Sequence, residues 1–186
     1  MPAKQRMRRL EYRTVGFLRG RLVIPQVAEC GKVGGFMGRQ IDGIEPLLDK
    51  GKYVSSRSTE NYRKGEYFYM LNEALPSIRT EGVAVIVEGY LDAPAMHLAG
   101  RTNTIAAGTK QLSRGQIPLL KRHNIDKVLV VMDSDEAGRK GALRSQALLA
   151  EYSIECEVFH FESEDPAEQL RRWLKTDRTT PPPIPF

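Results

Sequence analysis

Apolar residues in the second half of the chain occur in short runs that alternate with segments of helical spacing. The apolar runs, which predict strands, lie at 83–88, 102–107, 127–133 and 154–161. The segments that predict helices lie near 92–99 and 113–122 and at 136–150 and 166–175. Strands and helices that alternate at these intervals form right-handed crossovers. We therefore expect an α/β domain with a parallel sheet and helices on both faces.

The first half of the chain has a different pattern. Short apolar runs such as RLVIPQV and GKVGGFMGR are interrupted by Gly and Pro, which predicts small strands and turns and no long helix. Residues 66–79 have helical spacing that we expect Pro76 to end, which leaves a linker helix. The predicted division is a disordered basic lead-in (1–12), a small mixed β/α basic subdomain with the linker helix (13–80), the α/β catalytic domain (81–176) and a Pro-rich tail (177–186).

Charge is distributed unevenly between the two halves of the chain, which carries a net charge of +5. Residues 1–65 hold 14 Lys and Arg against 6 Asp and Glu, a net +8, while residues 66–186 hold 14 against 17, a net −3. A basic half attracts a polyanion such as nucleic acid, because its side chains neutralise phosphates. The plainer alternative is a solvated basic surface on an ordinary soluble domain.

Cysteine usage and hydropathy limit the cellular setting. Cys30 and Cys156 are the only cysteines, and their spacing indicates neither a disulfide framework nor a zinc site. The basic start of the chain is followed by no apolar segment of the signal-peptide kind, and no apolar run reaches the roughly 18 residues of a membrane span. We therefore expect a reducing, intracellular setting without secretion or membrane insertion.

Carboxylates stand at the ends of two of the predicted strands. Glu88 closes the first strand of the α/β domain, Asp133 closes the third, and Asp135 follows two residues later. Ligands of parallel sheets gather beyond the carboxyl ends of the strands, so adjacent strands would place these acids around one crevice. Clustered carboxylates repel each other unless a cation neutralises them, and ligands that are all oxygen suit Mg²⁺.

Simpler interpretations of the same residues remain open. Asp133 could cap the following helix, with Asp135 and Glu136 complementing the dipole of its N-terminus. Glu88 before a glycine could be a turn acid, or could bind the ribose of a nucleotide. The three histidines have no ligand spacing and receive no role: His97, His123 and His160.

Three motifs extend the pattern into a resemblance. VEGYLDAPAMHLAG, AAGTKQLS and VMDSDEAGRKGALR follow one another in the order and spacing of the topoisomerase-primase (TOPRIM) domain, and resemble that of bacterial-type, DnaG-like DNA primases. Upstream, GKVGGFMGR and GKYVSSRSTENYRKGEYFYMLNEA resemble the basic region that precedes this domain in primases. The resemblance covers roughly residues 18–171 and implies a TOPRIM (Rossmann-like) fold for the predicted parallel sheet.

The resemblance also implies roles for individual residues. Glu88 matches the family's acid-base glutamate and metal ligand, while Asp133 and Asp135 match ligands of Mg²⁺ or Mn²⁺. Asp92 and Asp165 match further acids of the metal site. Positions that contact template or nucleotide phosphates in the family's basic groove are matched by Arg39, Lys52, Tyr53 and Lys64.

Three positions need comment. Ala167 stands where the family has the second aspartate of D-P-D, so one metal position loses a ligand that Glu162, Glu164 or Glu168 could replace. Ser55 replaces an asparagine and has a shorter reach. Pro118 lies inside the predicted helix 113–122, so that helix could start near Gln116.

The function implied by the resemblance is that of a primase-type DNA-directed RNA polymerase, a nucleotidyltransferase. It would make short RNA primers from ribonucleoside triphosphates on single-stranded DNA. The alternatives are a metal-dependent TOPRIM nuclease and a non-catalytic module that binds nucleic acid. Tyr53, Tyr62 and Tyr67 could stack on bases, although packing is the simpler interpretation.

Partners and location follow from the same implied function. No zinc-binding module and no helicase-binding region are recognisable in the sequence. We therefore expect a replicative helicase or a zinc-bearing partner to help to hold the template, with no membrane involved. The expected location is the cytoplasm, in association with the nucleoid.

Overall fold

The computed structural model describes residues 18–44, 51–58, 62–133 and 135–160. These residues fall into two compact units. The smaller unit ends at Tyr62 and leaves out Glu29–Gly31, which belong with the larger unit from Arg63 onward. Several sequence predictions lie outside the described residues: the basic lead-in, Asp165 with Ala167 and the glutamates that could replace a ligand there, the helix at 166–175 and the Pro-rich tail.

The smaller unit contains a three-stranded antiparallel sheet in the order β1-β2-β3. Its strands are β1 (Arg21–Val27), β2 (Val33–Gln40) and β3 (Tyr53–Ser55). Ile24 of β1 pairs with Met37 of β2, and both side chains are buried. The ring of Tyr62 is also buried and lies against Gly35, where an added Cβ would stand 2.7 Å from the ring. The predicted small strands and turns without a long helix are confirmed for the described part of this unit.

The larger unit contains a four-stranded sheet in which all strands are parallel, in the order β5-β4-β6-β7. The strands are β4 (Ala84–Val87), β5 (Thr104–Ala106), β6 (Lys127–Met132) and β7 (Glu155–His160). All four residues of β4 are buried, as expected of a central strand covered on both faces. The predicted parallel α/β sheet is therefore confirmed.

Helices connect these strands. They are α1 (Leu71–Glu81), α2 (Asp92–Leu98), a 3-10 turn (Arg114–Gln116) that leads into α3 (Ile117–Arg122), and α4 (Glu136–Glu151). Pro118 lies in the first turn of α3, where its missing N–H has no helical partner to lose, so the predicted late start of this helix is confirmed. Among the described residues, no helix combines the length and the apolar character needed to cross a bilayer.

Two apolar clusters cover the two faces of the parallel sheet. Ala84 and Ile86 of β4 point to one face, where they join side chains of α1, α3 and α4. Val85 and Val87 point to the other face, where they join Ala93 and Met96 of α2. Because side chains of a strand alternate between faces, a single apolar run supplies both clusters. Helices on both faces, as predicted, hold the carboxyl ends of β4 and β6 in place.

The predicted effect of Pro76 is wrong. Pro76 lies inside α1, which continues to Glu81, and its own side chain is exposed. An interior proline costs a helix about 3 kcal/mol. Leu71 and Ile78 lie on either side of it and are buried in the core, and burial of such a side chain stabilises by about 1.5–3 kcal/mol. Packing of the helix face thus outweighs the local cost of the proline.

Candidate active site

The carboxyl ends of β4 and β6 lie side by side. These strands are parallel neighbours, with Val87 level with Val131. Glu88 directly follows β4, and Asp133 directly follows β6. The prediction that these two strands are adjacent is confirmed. Their adjacency brings the two acids together at the carboxyl ends of the strands.

Glu88 is half-buried and interacts with both aspartates. Burial raises the pKa of its carboxyl group, and the negative charges of Asp133 and Asp135 raise it further. Two groups act in the opposite direction: Lys110 lowers this pKa, and so does the backbone N–H of Asp133, which donates a hydrogen bond to the carboxylate. Burial is the largest of these effects, and together they raise the pKa of Glu88 above that of an ordinary glutamate.

Asp135 is the N-cap of α4. Its Oδ1 accepts a hydrogen bond of 2.6 Å from the backbone N–H of Gly138. The capping role considered for Asp133 therefore belongs to Asp135, and Asp133 lies two residues earlier, directly after β6. A carboxylate has several acceptor positions on two oxygens, so capping by one oxygen is compatible with a second ligand.

Asp92 holds the turn that follows Glu88. It is the first residue of α2 and is buried, and its Oδ2 accepts a hydrogen bond of 2.8 Å from the backbone N–H of Gly89. An added Cβ at Gly89 would overlap this carboxylate, so a larger residue there would displace the side chain of Asp92. In this structure Asp92 fixes the backbone directly after Glu88.

The donor set suits a hard divalent cation. Glu88, Asp133 and Asp135 offer only oxygen, the ligand that Mg²⁺ and Mn²⁺ prefer. Burial raises the pKa of Glu88, the charges of the two aspartates raise it further, and a cation would offset those charges. Within residues 18–44, 51–58, 62–133 and 135–160, no three His, Cys, Asp or Glu side chains stand together as a ready metal-binding group. The carboxylate oxygens are the type of ligand that such a cation binds. To hold it together, the three side chains would have to change their orientation.

The sequence analysis assigned no role to Lys110 or to two glycines of α4. Lys110 lies beyond the end of β5, which is the neighbour of β4, and its charge acts on Glu88. Gly138 and Gly141 let α4 approach closely, because an added Cβ would overlap the carbonyl oxygen of Asp133 or of Lys110 respectively. In the sequence, a glycine inside a predicted helix indicates close packing. A lysine that follows a predicted strand indicates a residue near the carboxyl ends of the strands, where ligands bind.

The predicted basic positions lie apart from the acids in the sequence, and three of them belong to the smaller unit. Arg39 on β2 is opposite Tyr53 on β3, and its Nη1 donates a hydrogen bond of 2.6 Å to the tyrosine hydroxyl. Lys52 directly precedes β3 and is exposed, while its carbonyl accepts a hydrogen bond of 2.9 Å from Gln40. Lys64 is exposed and belongs to the larger unit.

The tyrosines considered for base stacking differ from one another. Tyr62 is 2% exposed, so the packing interpretation is confirmed for this residue. Tyr53 is partly exposed, and the guanidinium carbon of Arg39 lies 5.4 Å from the centre of its ring. Of these two, Tyr53 is the one with a ring face near a cation and access to solvent.

Fold and site together define a Toprim-like protein. A Toprim-like family model matches residues 85–170, which contain the parallel sheet and the acids. A second family model, the N-terminal domain of the DNA primase catalytic core, matches residues 4–75.

Similar proteins agree with both matches. The DNA primase of Synechococcus elongatus is 39% identical over 128 residues, which cover 68% of this chain and 18% of that protein. The crystal structure of the zinc-binding and RNA polymerase domains of Aquifex aeolicus primase has a TM-score of 0.74 at 34% identity and covers 84% of this chain and 38% of that one. The structure of a DnaG primase catalytic domain bound to single-stranded DNA has a TM-score of 0.71 at 26% identity and covers 89% and 55%.

The chain belongs to the bacterial-type, DnaG-like family of DNA primases, with a TOPRIM domain and part of the basic region before it. It spans between 18% and 31% of the length of the curated relatives that it matches.

Proposed function

We propose that the chain is the catalytic core of a DNA primase, which makes short RNA primers on single-stranded DNA from ribonucleoside triphosphates. One observation carries this proposal: Glu88, half-buried at the carboxyl end of β4, faces Asp133 and Asp135 beyond the adjacent strand β6. Membership of the primase family and a solved relative bound to single-stranded DNA support the substrate class.

The reaction joins two nucleotides. The 3′-hydroxyl oxygen of one nucleotide forms a bond to the α-phosphorus of a second, the bond from that phosphorus to pyrophosphate breaks, and the proton of the hydroxyl passes to a base. Glu88 is the proposed base, because its carboxylate stands at the carboxyl end of β4, next to the strand that carries the other two acids. Mg²⁺ or Mn²⁺, held by Glu88, Asp133 and Asp135, would supply charge stabilisation for the phosphates.

The remaining acids have supporting roles in this proposal. Asp92 keeps the backbone after Glu88 in place by accepting a hydrogen bond from Gly89, and on the strength of the family pattern it is also proposed as a metal ligand. Asp165 is proposed as a further ligand on the strength of the family pattern alone. Ala167 removes one possible ligand that relatives with D-P-D possess.

Binding of the template is assigned to the basic residues. Arg39, Lys52 and Lys64 are proposed to contact backbone phosphates, and Tyr53 is proposed to stack on a base. Residues 13–80 would thus serve nucleic-acid binding and residues 81–176 catalysis. Exposed lysines scattered over a short segment hold a flexible polyanion loosely, so a helicase or a zinc-bearing protein is proposed to raise the local template concentration. The proposed location is the cytoplasm, with the nucleoid.

The test is a primer-synthesis assay. The chain is incubated with single-stranded DNA, labelled ribonucleotides and Mg²⁺ or Mn²⁺, with a helicase added in a parallel reaction, and the products are separated by size. We expect short RNA that depends on both template and metal. Shortening of a labelled DNA without new RNA would identify a nuclease and overturn the proposal.

A further inference from the structure

The segment after β5, residues 107–112, runs along the backbone of Glu88. The N–H of Ala107 donates a hydrogen bond of 2.9 Å to the carbonyl of Val87, and the N–H of Gly108 donates one of 2.9 Å to the carbonyl of Glu88. Gly108 has a positive φ of 68°, and an added Cβ there would overlap the ring of Tyr90, so the segment turns where only glycine fits. Lys110 follows two residues after this turn.

Helix α4 holds the same segment from its other side. An added Cβ at Gly141 would overlap the carbonyl oxygen of Lys110, so helix and segment are in direct backbone contact. The N–H of Leu112 donates a hydrogen bond of 2.9 Å to Oγ of Ser145, which is itself fully buried. Gln111 accepts a hydrogen bond of 3.2 Å from Arg144. The backbone of Lys110 is therefore fixed on two sides, while its side chain is exposed to solvent.

The side chain of Lys110 starts beside the carboxylate site. Lys110 lies two residues after Gly108, whose N–H binds the carbonyl of Glu88, and its own carbonyl lies against α4, the helix that Asp135 caps. Among the salt bridges of the described residues, none involves Lys110, so its ammonium group is not locked to one acid. A long lysine side chain of this kind can move between anions at small cost.

Charge balance indicates which anion Lys110 would meet during the reaction. Three ionised carboxylates carry three negative charges, and divalent cations bound there offset most of them. Lys110 then has little negative charge to attract it among the acids. A nucleoside triphosphate brings about four negative charges to the same edge of the sheet, and lysine is a common point-charge partner of phosphates.

We propose that Lys110 is a contact for the phosphates of the incoming nucleoside triphosphate, next to the acids of the active site. The proposal rests on the proposed function and adds to it a nucleotide-binding residue on the segment after β5. A second role for the same cation would be to offset carboxylate repulsion before metal binding. That role affects the affinity for the metal ion, whereas a phosphate contact affects the affinity for the nucleotide.

Equilibrium binding separates these roles. Lys110→Gln, Lys110→Arg and the wild type are titrated with ATP and with AMP in the presence of Mg²⁺, and with Mn²⁺ in the absence of nucleotide. Lys121→Gln is the matched control, because Lys121 is exposed, lies at the end of α3 and pairs with Asp126 directly before β6, at the opposite edge of the sheet.

For Lys110→Gln we expect ATP binding to weaken by about tenfold, the effect of one charge-assisted hydrogen bond. AMP binding should weaken less, and Mn²⁺ binding should stay the same or become tighter because a competing cation is gone. Lys110→Arg should keep ATP affinity within about threefold, and Lys121→Gln should match the wild type.

Unchanged ATP affinity in Lys110→Gln would overturn the inference, and so would a loss confined to Mn²⁺ binding. Primer synthesis by the wild type is measured in the same preparation. If the wild type binds ATP through Lys110 but makes no RNA, the proposed function fails and the nucleotide contact stands. If the wild type makes RNA and Lys110→Gln has an unchanged KM, the contact fails alone. Absence of ATP binding by the wild type would count against both the proposed function and the Lys110 contact.

Discussion

The acidic end of the parallel sheet and the small antiparallel sheet differ in how firmly their functional side chains are held. Glu88 follows a strand whose four residues are all buried, and hydrogen bonds fix the backbone on both sides of it. In the smaller unit, Lys52 is exposed, and Arg39 is partly exposed and held through its hydrogen bond and ring contact with Tyr53. A reaction at one phosphorus atom needs fixed geometry, whereas binding of a flexible polyanion needs charge within reach.

This contrast predicts the largest effect for the acid. Glu88→Gln keeps the size of the side chain but removes its charge and its capacity to accept a proton. We expect primer synthesis to fall by about a hundredfold or more, the usual contribution of a general base and metal ligand. Binding of single-stranded DNA, measured by fluorescence anisotropy, should change little. Full synthesis in this variant would exclude the assigned role.

The second prediction concerns the rigid packing behind the acids. Gly141→Ala would place a methyl group on the carbonyl oxygen of Lys110, so we expect a loss of about 1–3 kcal/mol in the free energy of unfolding. An unconstrained helix position would instead gain up to about 1 kcal/mol from the same change. Leu143→Ala, at an exposed position of the same helix, is the control. Denaturant unfolding shows whether the free energy of unfolding falls or rises. A rise in Gly141→Ala would contradict the close contact.

The third prediction separates metal binding from folding. Asp133→Asn and Asp135→Asn should each weaken Mn²⁺ binding by about tenfold, equivalent to roughly 1.4 kcal/mol. The fold should persist, because asparagine is as good an N-cap as aspartate and repulsion with Glu88 is relieved. Titration calorimetry measures the affinity and circular dichroism the fold. Equal Mn²⁺ affinity in both variants and the wild type would show that Asp133 and Asp135 do not bind the metal ion.

The smallest effects are expected for the basic residues proposed to bind the template. Arg39→Ala, Lys52→Ala and Lys64→Ala should each weaken DNA binding to a similar extent across template sequences. Each should also lower the magnitude of the slope of log affinity against log salt by about 0.7, the value for one phosphate contact on a single strand. Binding of labelled oligonucleotides at several salt concentrations measures both. A loss that depended on sequence would indicate contact with bases.

The two regions also differ in how far the sequence could predict them. Buried strands read as apolar runs, so β4, β6 and the acids that follow them were predictable from the pattern alone. Exposed strand positions carry no such pattern, and Arg39, Lys52 and Tyr53 were chosen by resemblance. Lys110 was missed because its position depends on packing between the segment after β5 and α4, which are more than 25 residues apart at Lys110 and Gly141.

A local rule failed where tertiary packing opposed it. Pro76 was expected to end a helix, and burial of the residues around it keeps α1 intact to Glu81. A local rule succeeded where nothing opposed it, since Pro118 falls in the first turn of α3. The outcome for each proline depended on the packing of its neighbours, which a single sequence does not state.

One measurement tests the separation of catalysis from template binding most directly. Primer synthesis is followed for Glu88→Gln and for the double variant Arg39→Ala/Lys52→Ala while the concentration of single-stranded DNA is raised to saturation. The account predicts that the double variant recovers nearly the wild-type rate at high template, because its defect is in binding. Glu88→Gln should stay inactive at every concentration. Recovery of Glu88→Gln, or a double variant that stays slow at saturation, would contradict the division of roles.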